Sequence, residues 1–157
     1  MMTARDGIDI GGDVLSAGMS GEGRPWQAGI VDPADRSTLF GAVSLTPGRG
    51  AIASSGTSER GEHVWRLDDA VDDPVVQASV RGSDIVAVDV LATAVLAAGT
   101  GVIDEYADRF DVDILVMTAS RAILATRRFR EELSTPPRRP DCASCVTRVG
   151  HIPPMSS

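Results

Sequence analysis

The stretch from Asp84 to Ala98 is a continuous run of good helix formers and β-branched residues, opened by Ser83 or Asp84 as a cap and closed by Gly99. Everything around it is short and strand-like. Trp26 to Val31 reads as a strand stopped by Asp32-Pro33, and Gly41 to Leu45, Ala51 to Ser54 and Val75 to Val80 follow at hairpin-like spacing. Beyond the helix, Gly101 to Phe110 reads as a second, amphipathic helix and Val112 to Met117 as a strand, with Ala122 to Arg128 as its candidate partner across the Thr118 to Arg121 turn. At the other end, Ile8 to Leu15 alternates apolar residues around Gly11-Gly12, as in a strand interrupted where something approaches the backbone closely, and Ser20 to Pro25 is a glycine-rich turn. One apolar helix among short strands predicts an α+β fold. Its sheet is mixed or largely antiparallel, built from the strands before Val80 and after Val112, with the Asp84 to Ala98 helix packed on one face.

The chain has 157 residues, 43% of them hydrophobic and 24% charged, which is globular composition for a single domain. From Glu131 onward, paired prolines, arginines and serines break the pattern, so residues 1–130 are expected to form the domain and 131–157 a flexible tail. A net charge of −7 with 4% aromatic residues argues against a nucleic-acid surface. All 15 basic residues are arginine, and the missing lysine excludes Walker-type NTPases and pyridoxal enzymes. The longest uncharged stretch, Val90 to Ile103, falls short of the roughly 20 apolar residues that a membrane span needs. Met1 to Gly12 carries acids where a signal peptide needs an apolar run, so the chain as written is expected to be cytoplasmic, with no membrane segment.

Asp89 and Thr93 interrupt the apolar helix, four residues apart and therefore on one face. A carboxylate there is costly to bury unless it is paired or bound to a cation. Together the two are hard oxygen donors of the kind magnesium accepts, with positions left for water and phosphate oxygens. The alternative is a narrow solvent stripe on which Thr93 bonds back to a helix carbonyl. Cys142 and Cys145 with His151 amount to half of a zinc site, or to two free thiols. Arg127, Arg128, Arg130, Arg138 and Arg139 read as a solvated cationic patch.

Four motifs stand in order along the chain: Gly11-Gly12-Asp13-Val14; Gly23-Arg24-Pro25-Trp26 with Gly29-Ile30-Val31-Asp32-Pro33; Ala53-Ser54-Ser55-Gly56-Thr57-Ser58-Glu59-Arg60; and Asp89-Val90-Leu91-Ala92-Thr93-Ala94 with Gly99. Together they resemble the ApbE-type FAD:protein FMN transferases, from about Ile8 to about Met117. The resemblance implies the C-terminal half of a T-fold-like α+β domain. It also implies a magnesium-dependent enzyme that splits the pyrophosphate of FAD, releases AMP and joins FMN to a threonine or serine hydroxyl of an acceptor protein. Two phosphates do call for a metal to neutralise and orient them.

Carried over by this resemblance, Asp89 and Thr93 hold the metal, and Gly11, Gly12, Asp13, Ser55, Gly56, His63 and Trp65 contact FAD. The glycines and Ser55 would serve by letting the backbone approach or turn. Two departures stand out. Ala92 occupies a position where some members have an extra acid, and Arg66-Leu67 stand where the family's His-x-x-Asp-Pro segment has Asp and Pro. The family's N-terminal half, which supplies much of the FAD pocket and a further metal ligand, has no counterpart here. The chain is thus expected to be a fragment, a product of a misassigned start, or a shortened homologue that works with a partner. The competing expectation is an inactive remnant that serves as a binding or structural module.

Overall fold

The computed structural model describes residues 7–10, 13–20, 23–57, 72–134 and 145–149. Two antiparallel hairpin systems dominate. Strands β1 (Gly7–Ile10), β2 (Asp13–Ser16), β5 (Ala51–Gly56), β6 (Val75–Gly82), β7 (Asp113–Thr118) and β8 (Ile123–Ala125) form a six-stranded sheet in the order β1-β2-β5-β6-β7-β8. Every pairing in it is antiparallel. A second sheet takes the order β10-β3-β4-β9, from β3 (Trp26–Val31), β4 (Leu39–Leu45), β9 (Leu133–Ser134) and β10 (Cys145–Val149), with β10 parallel to β3.

The large sheet is buried on both faces. On one lies helix α1 (Ile85–Ala98), whose Asp84 cap accepts a hydrogen bond from the Ala87 amide at 2.9 Å. Gly99, at φ 85°, ends the helix by donating to the Val95 carbonyl at 2.9 Å, a backbone geometry that favours glycine. Its buried residues Val88, Leu91, Ala92, Val95 and Leu96 pack on Ala51, Ala53, Ala78, Val80, Ile114 and Val116. Alternate residues of the same strands, Ile52, Leu115 and Met117, point the other way, onto Ala28, Ile30, Val43, Leu45 and Phe129. A Cβ on Gly82 would stand 3.0 Å from Val88 Cγ1 and 3.1 Å from Val112 Cγ1, so the missing side chain lets the first turn of α1 settle against the end of β6.

Beside Gly82 sits Arg81, fully buried. Its guanidinium donates to Asp113 at 2.7 and 3.1 Å, to the Ser44 carbonyl at 2.7 Å and to Glu132 at 2.5 Å, and lies 5.8 Å from the Phe129 ring centroid. These partners come from β7, β4 and helix α3 (Arg127–Glu132), so one cation ties both sheets together. Burial works against the charge, but the hydrogen bonds that the guanidinium donates to Glu132 and Asp113 outweigh it and hold the Arg81 pKa above its ordinary value.

The expected antiparallel sheet with α1 on one face is present. Several local expectations differ. Ile8 to Leu15 is a hairpin in which Ile10 stands opposite Asp13, because the glycine pair separates two strands. The second helix is Ile103–Phe110 (α2), preceded by a 3-10 turn at Thr100–Val102. After Ile123–Ala125 the chain turns into α3, which buries Phe129 completely. Two parts of the segment expected as a loose tail, Leu133–Ser134 and Cys145–Val149, pair into the second sheet. In the expected cationic patch, Arg127 pairs with Glu131 at 2.8 Å, Arg128 lies 3.7 Å from Asp113, and Arg130 donates to the Ala125 carbonyl. Cys142, His151, Arg138 and Arg139 lie outside the described residues. Among the described residues, no helix is long and apolar enough to cross a membrane.

Removing one member of a buried ion pair strands the other, whereas replacing both with apolar groups costs far less. Arg81→Met is therefore expected to lower the unfolding free energy by about 3–5 kcal/mol, measured by urea denaturation. The double variant Arg81→Met, Asp113→Leu should recover part of that loss. An Arg81→Met protein as stable as the parent would remove the cluster from the account of stability.

The hydrogen bond from Arg81 also holds the Glu132 carboxyl below its ordinary value of 4.5. A carboxylate lowered in the folded state contributes stability that is present above about pH 4.5 and is lost as the pH falls through its folded pKa. Glu132→Gln should flatten the acid side of the stability profile, read by thermal melts between about pH 6 and 3. A profile that keeps the slope of the parent would place the acid sensitivity elsewhere.

Candidate active site

Strand β5 alternates, and the alternation sets the site. Ala51 and Ala53 face α1, so Ser55, two residues further, does as well. Ser55 is only 3% exposed, and its Oγ lies 3.0 Å from Thr93 Oγ1 on α1, a contact between residues 38 apart in sequence. The adjacent Ser54 points to the opposite face, where its hydroxyl meets Ser79 Oγ at 2.6 Å. Ser55 and Gly56 were expected at a turn; they are instead the last two residues of β5, paired opposite Ala78 and Gln77.

Asp89 stands one turn before Thr93 on the same stripe of α1, about 6 Å nearer the helix N-terminus, and is half-buried. The Thr93 hydroxyl makes its hydrogen bond across to β5, where the alternative reading had it turning back onto its own helix. Asp13 opens β2, in which Val14 points into the core between the sheets while Leu15 packs against the α1 side. By alternation Asp13 shares the side of Leu15. The register Val14 opposite Ile52 and Leu15 opposite Ala51 brings Asp13 level with Ala53. Asp13, Ser55, Asp89 and Thr93 thus lie on one side of the large sheet, along the flank where β2 and β5 meet α1.

Two carboxylates and two hydroxyls make a set of hard oxygen groups. Among the described residues, no group of three or more His, Cys, Asp and Glu gathers as a metal cage. Carboxylate and hydroxyl oxygens are donors that magnesium accepts alongside water and phosphate. Gly11, Gly12, His63 and Trp65 lie outside the described residues, so their place at the site is not part of this geometry.

A second feature has no motif to announce it. At the end of β5 a cavity of about 410 Å³ opens beyond Thr57, floored by Phe40, Val76 and Met117. At its rim, Arg121 approaches the Asp32 carboxylate at 3.5 Å from a backbone with φ 70°. Only the Asp32-Pro33 strand stop hints at this feature in sequence, since Arg121 reads as an ordinary turn residue.

The ApbE family model matches residues 5–116. An FAD:protein FMN transferase from Klebsiella pneumoniae is 40% identical over 50 residues, which is 32% of this chain and 14% of that protein. Among solved structures, the ApbE protein from Thermotoga maritima superposes with a TM-score of 0.64 at 23% identity, over 81% of this chain and 44% of that one. The flavin transferase ApbE from Vibrio cholerae superposes with a TM-score of 0.61 at 20% identity, over 82% of this chain and 44% of that one. These structural likenesses show a shared fold, and the chain spans less than half the length of the proteins it matches. With the family model covering most of its length, the chain belongs to the ApbE family.

Proposed function

We propose that this chain carries the metal-bearing part of an FAD:protein FMN transferase, which moves FMN from FAD to a threonine or serine hydroxyl of an acceptor protein with release of AMP. The observation that carries the reading is the Ser55 and Thr93 hydroxyl pair at 3.0 Å, which unites two of the family-like motifs on one side of the sheet, with Asp89 one turn away. In the transfer, the acceptor oxygen attacks the FMN phosphorus. The bond from that phosphorus to the bridging oxygen breaks, AMP leaves with the bridging oxygen, and the acceptor proton passes to solvent.

The donor set fits magnesium, with Asp89 and Thr93 as the residues that would hold it. When bound, the ion would neutralise the pyrophosphate and favour departure of AMP. The remaining work falls to the protein. Asp89 supplies the formal negative charge, and the small side chains of β5 leave room for the helix to approach. Gly11, Gly12, His63 and Trp65 enter this proposal as FAD contacts on the strength of the family resemblance.

A second reading is an inactive module that keeps the fold. One experiment separates the two. With FAD, magnesium and a threonine-containing acceptor, the chain alone is expected to give weak labelling or none by in-gel flavin fluorescence, since a substrate lacking half of its contacts is misplaced and orders of magnitude in rate are lost. When the segment 5–116 replaces its counterpart in a complete ApbE protein, labelling should return and depend on magnesium. In that setting Asp89→Ala should abolish transfer, and Thr93→Val should reduce it less, because water replaces a neutral hydroxyl more easily than a carboxylate. Asp89→Ala labelling at the parent level would remove Asp89 from the transfer, and a chimera that gives no labelling would sink the transferase reading and leave the inactive module.

A further inference from the structure

We propose that Ser55 is a positioning residue for the metal site: its buried hydroxyl accepts the Thr93 proton and so turns a Thr93 lone pair toward the position beside Asp89. This rests on the metal-site reading above and assigns Ser55 a role through its side chain, where the family resemblance offered only backbone approach to FAD.

A threonine hydroxyl has one proton and two lone pairs. On a helix, threonine divides between rotamers because its Oγ1 can bond back to a carbonyl in the preceding turn. Here the hydrogen bond goes to Ser55 Oγ at 3.0 Å. Either hydroxyl can be the donor in that contact. A cation at the Thr93 oxygen removes the ambiguity, since the proton must then point away from the positive charge, and Ser55 Oγ is the acceptor in place. Ser55 is 3% exposed and is paired opposite Ala78 of β6, so it cannot swing away as a surface serine would. Groups that orient a metal ligand in this way typically change metal affinity by roughly 10–100-fold when removed.

A purely structural bond would fasten α1 to β5 and affect stability alone, so the test reads the metal directly. Manganese(II), which replaces magnesium and is visible by electron paramagnetic resonance, is titrated into the full chain in the presence of FAD. Ser55→Ala is expected to weaken manganese binding by about tenfold or more. Combined with Thr93→Val, it should add nothing to the loss that Thr93→Val causes alone, since Ser55 acts through Thr93. Ser55→Cys keeps the side-chain shape with a somewhat larger atom and offers a weaker acceptor. It should fall between the parent and Ser55→Ala, and it serves if the alanine variant does not fold. Parent-like manganese affinity in Ser55→Ala, or losses that add in the double variant, would overturn the positioning role. Asp89→Ala tells this failure from that of the underlying reading. If Asp89→Ala abolishes binding while Ser55→Ala leaves it intact, only the role of Ser55 falls; if neither variant alters binding, or the parent binds no manganese, the metal site falls with it.

Discussion

The buried guanidinium of Arg81 is the constraint on which the rest of the arrangement depends. It stands directly opposite Asp113 in the β6–β7 register and reaches Ser44 on β4 and Glu132 on α3. A charge with no access to water must have its donors satisfied, and satisfying them requires both sheets and α3 to be in place together. The next residues are Gly82, where Val88 and Val112 press against the missing side chain, and Asp84, which caps α1. The helix therefore starts from a fixed point.

The position of the candidate site follows from that start. The buried residues of α1 lie on the alanines of β5 and β6, which bring the helix close, and the strand rise and helix rise then place Thr93 beside Ser55. Strand β5 holds the design in two adjacent residues. Ser54 joins β6 on the side of the second sheet, while Ser55 meets the helix on the other. A one-residue slip in the β5 register would exchange these faces and remove the hydroxyl from Thr93.

Some of this was legible in the sequence and some was not, for physical reasons. Helix α1 announces itself because its cap, its apolar run and its closing glycine are all local signals. The Asp89 and Thr93 pair is legible because helical spacing alone puts the two on one stripe. The contact of Thr93 with Ser55 is not, because it depends on how the helix lies across the sheet. Arg81 lies just past the Val75 to Val80 stretch that reads as a strand and carries no local signal, since its partners are 32 to 51 residues away. Helix α3 was hidden in an arginine-rich run, although Arg127 and Glu131, four apart and paired at 2.8 Å, were a local signal for it. The glycine pair at 11–12 read as an interrupted strand, although Gly-Gly between alternating residues is also a hairpin signature, and the hairpin is what forms.

On the proposed reading, Asp89 and Thr93 hold a divalent cation beside the β5 flank. The most direct measurement is an anomalous-difference map from crystals of the chain grown with FAD and manganese(II). The expected result is a manganese peak within coordination reach of both the Asp89 carboxylate and Thr93 Oγ1, with Ser55 Oγ still hydrogen-bonded to Thr93. Manganese bound only elsewhere, or no ion at this flank with FAD in place, would contradict it.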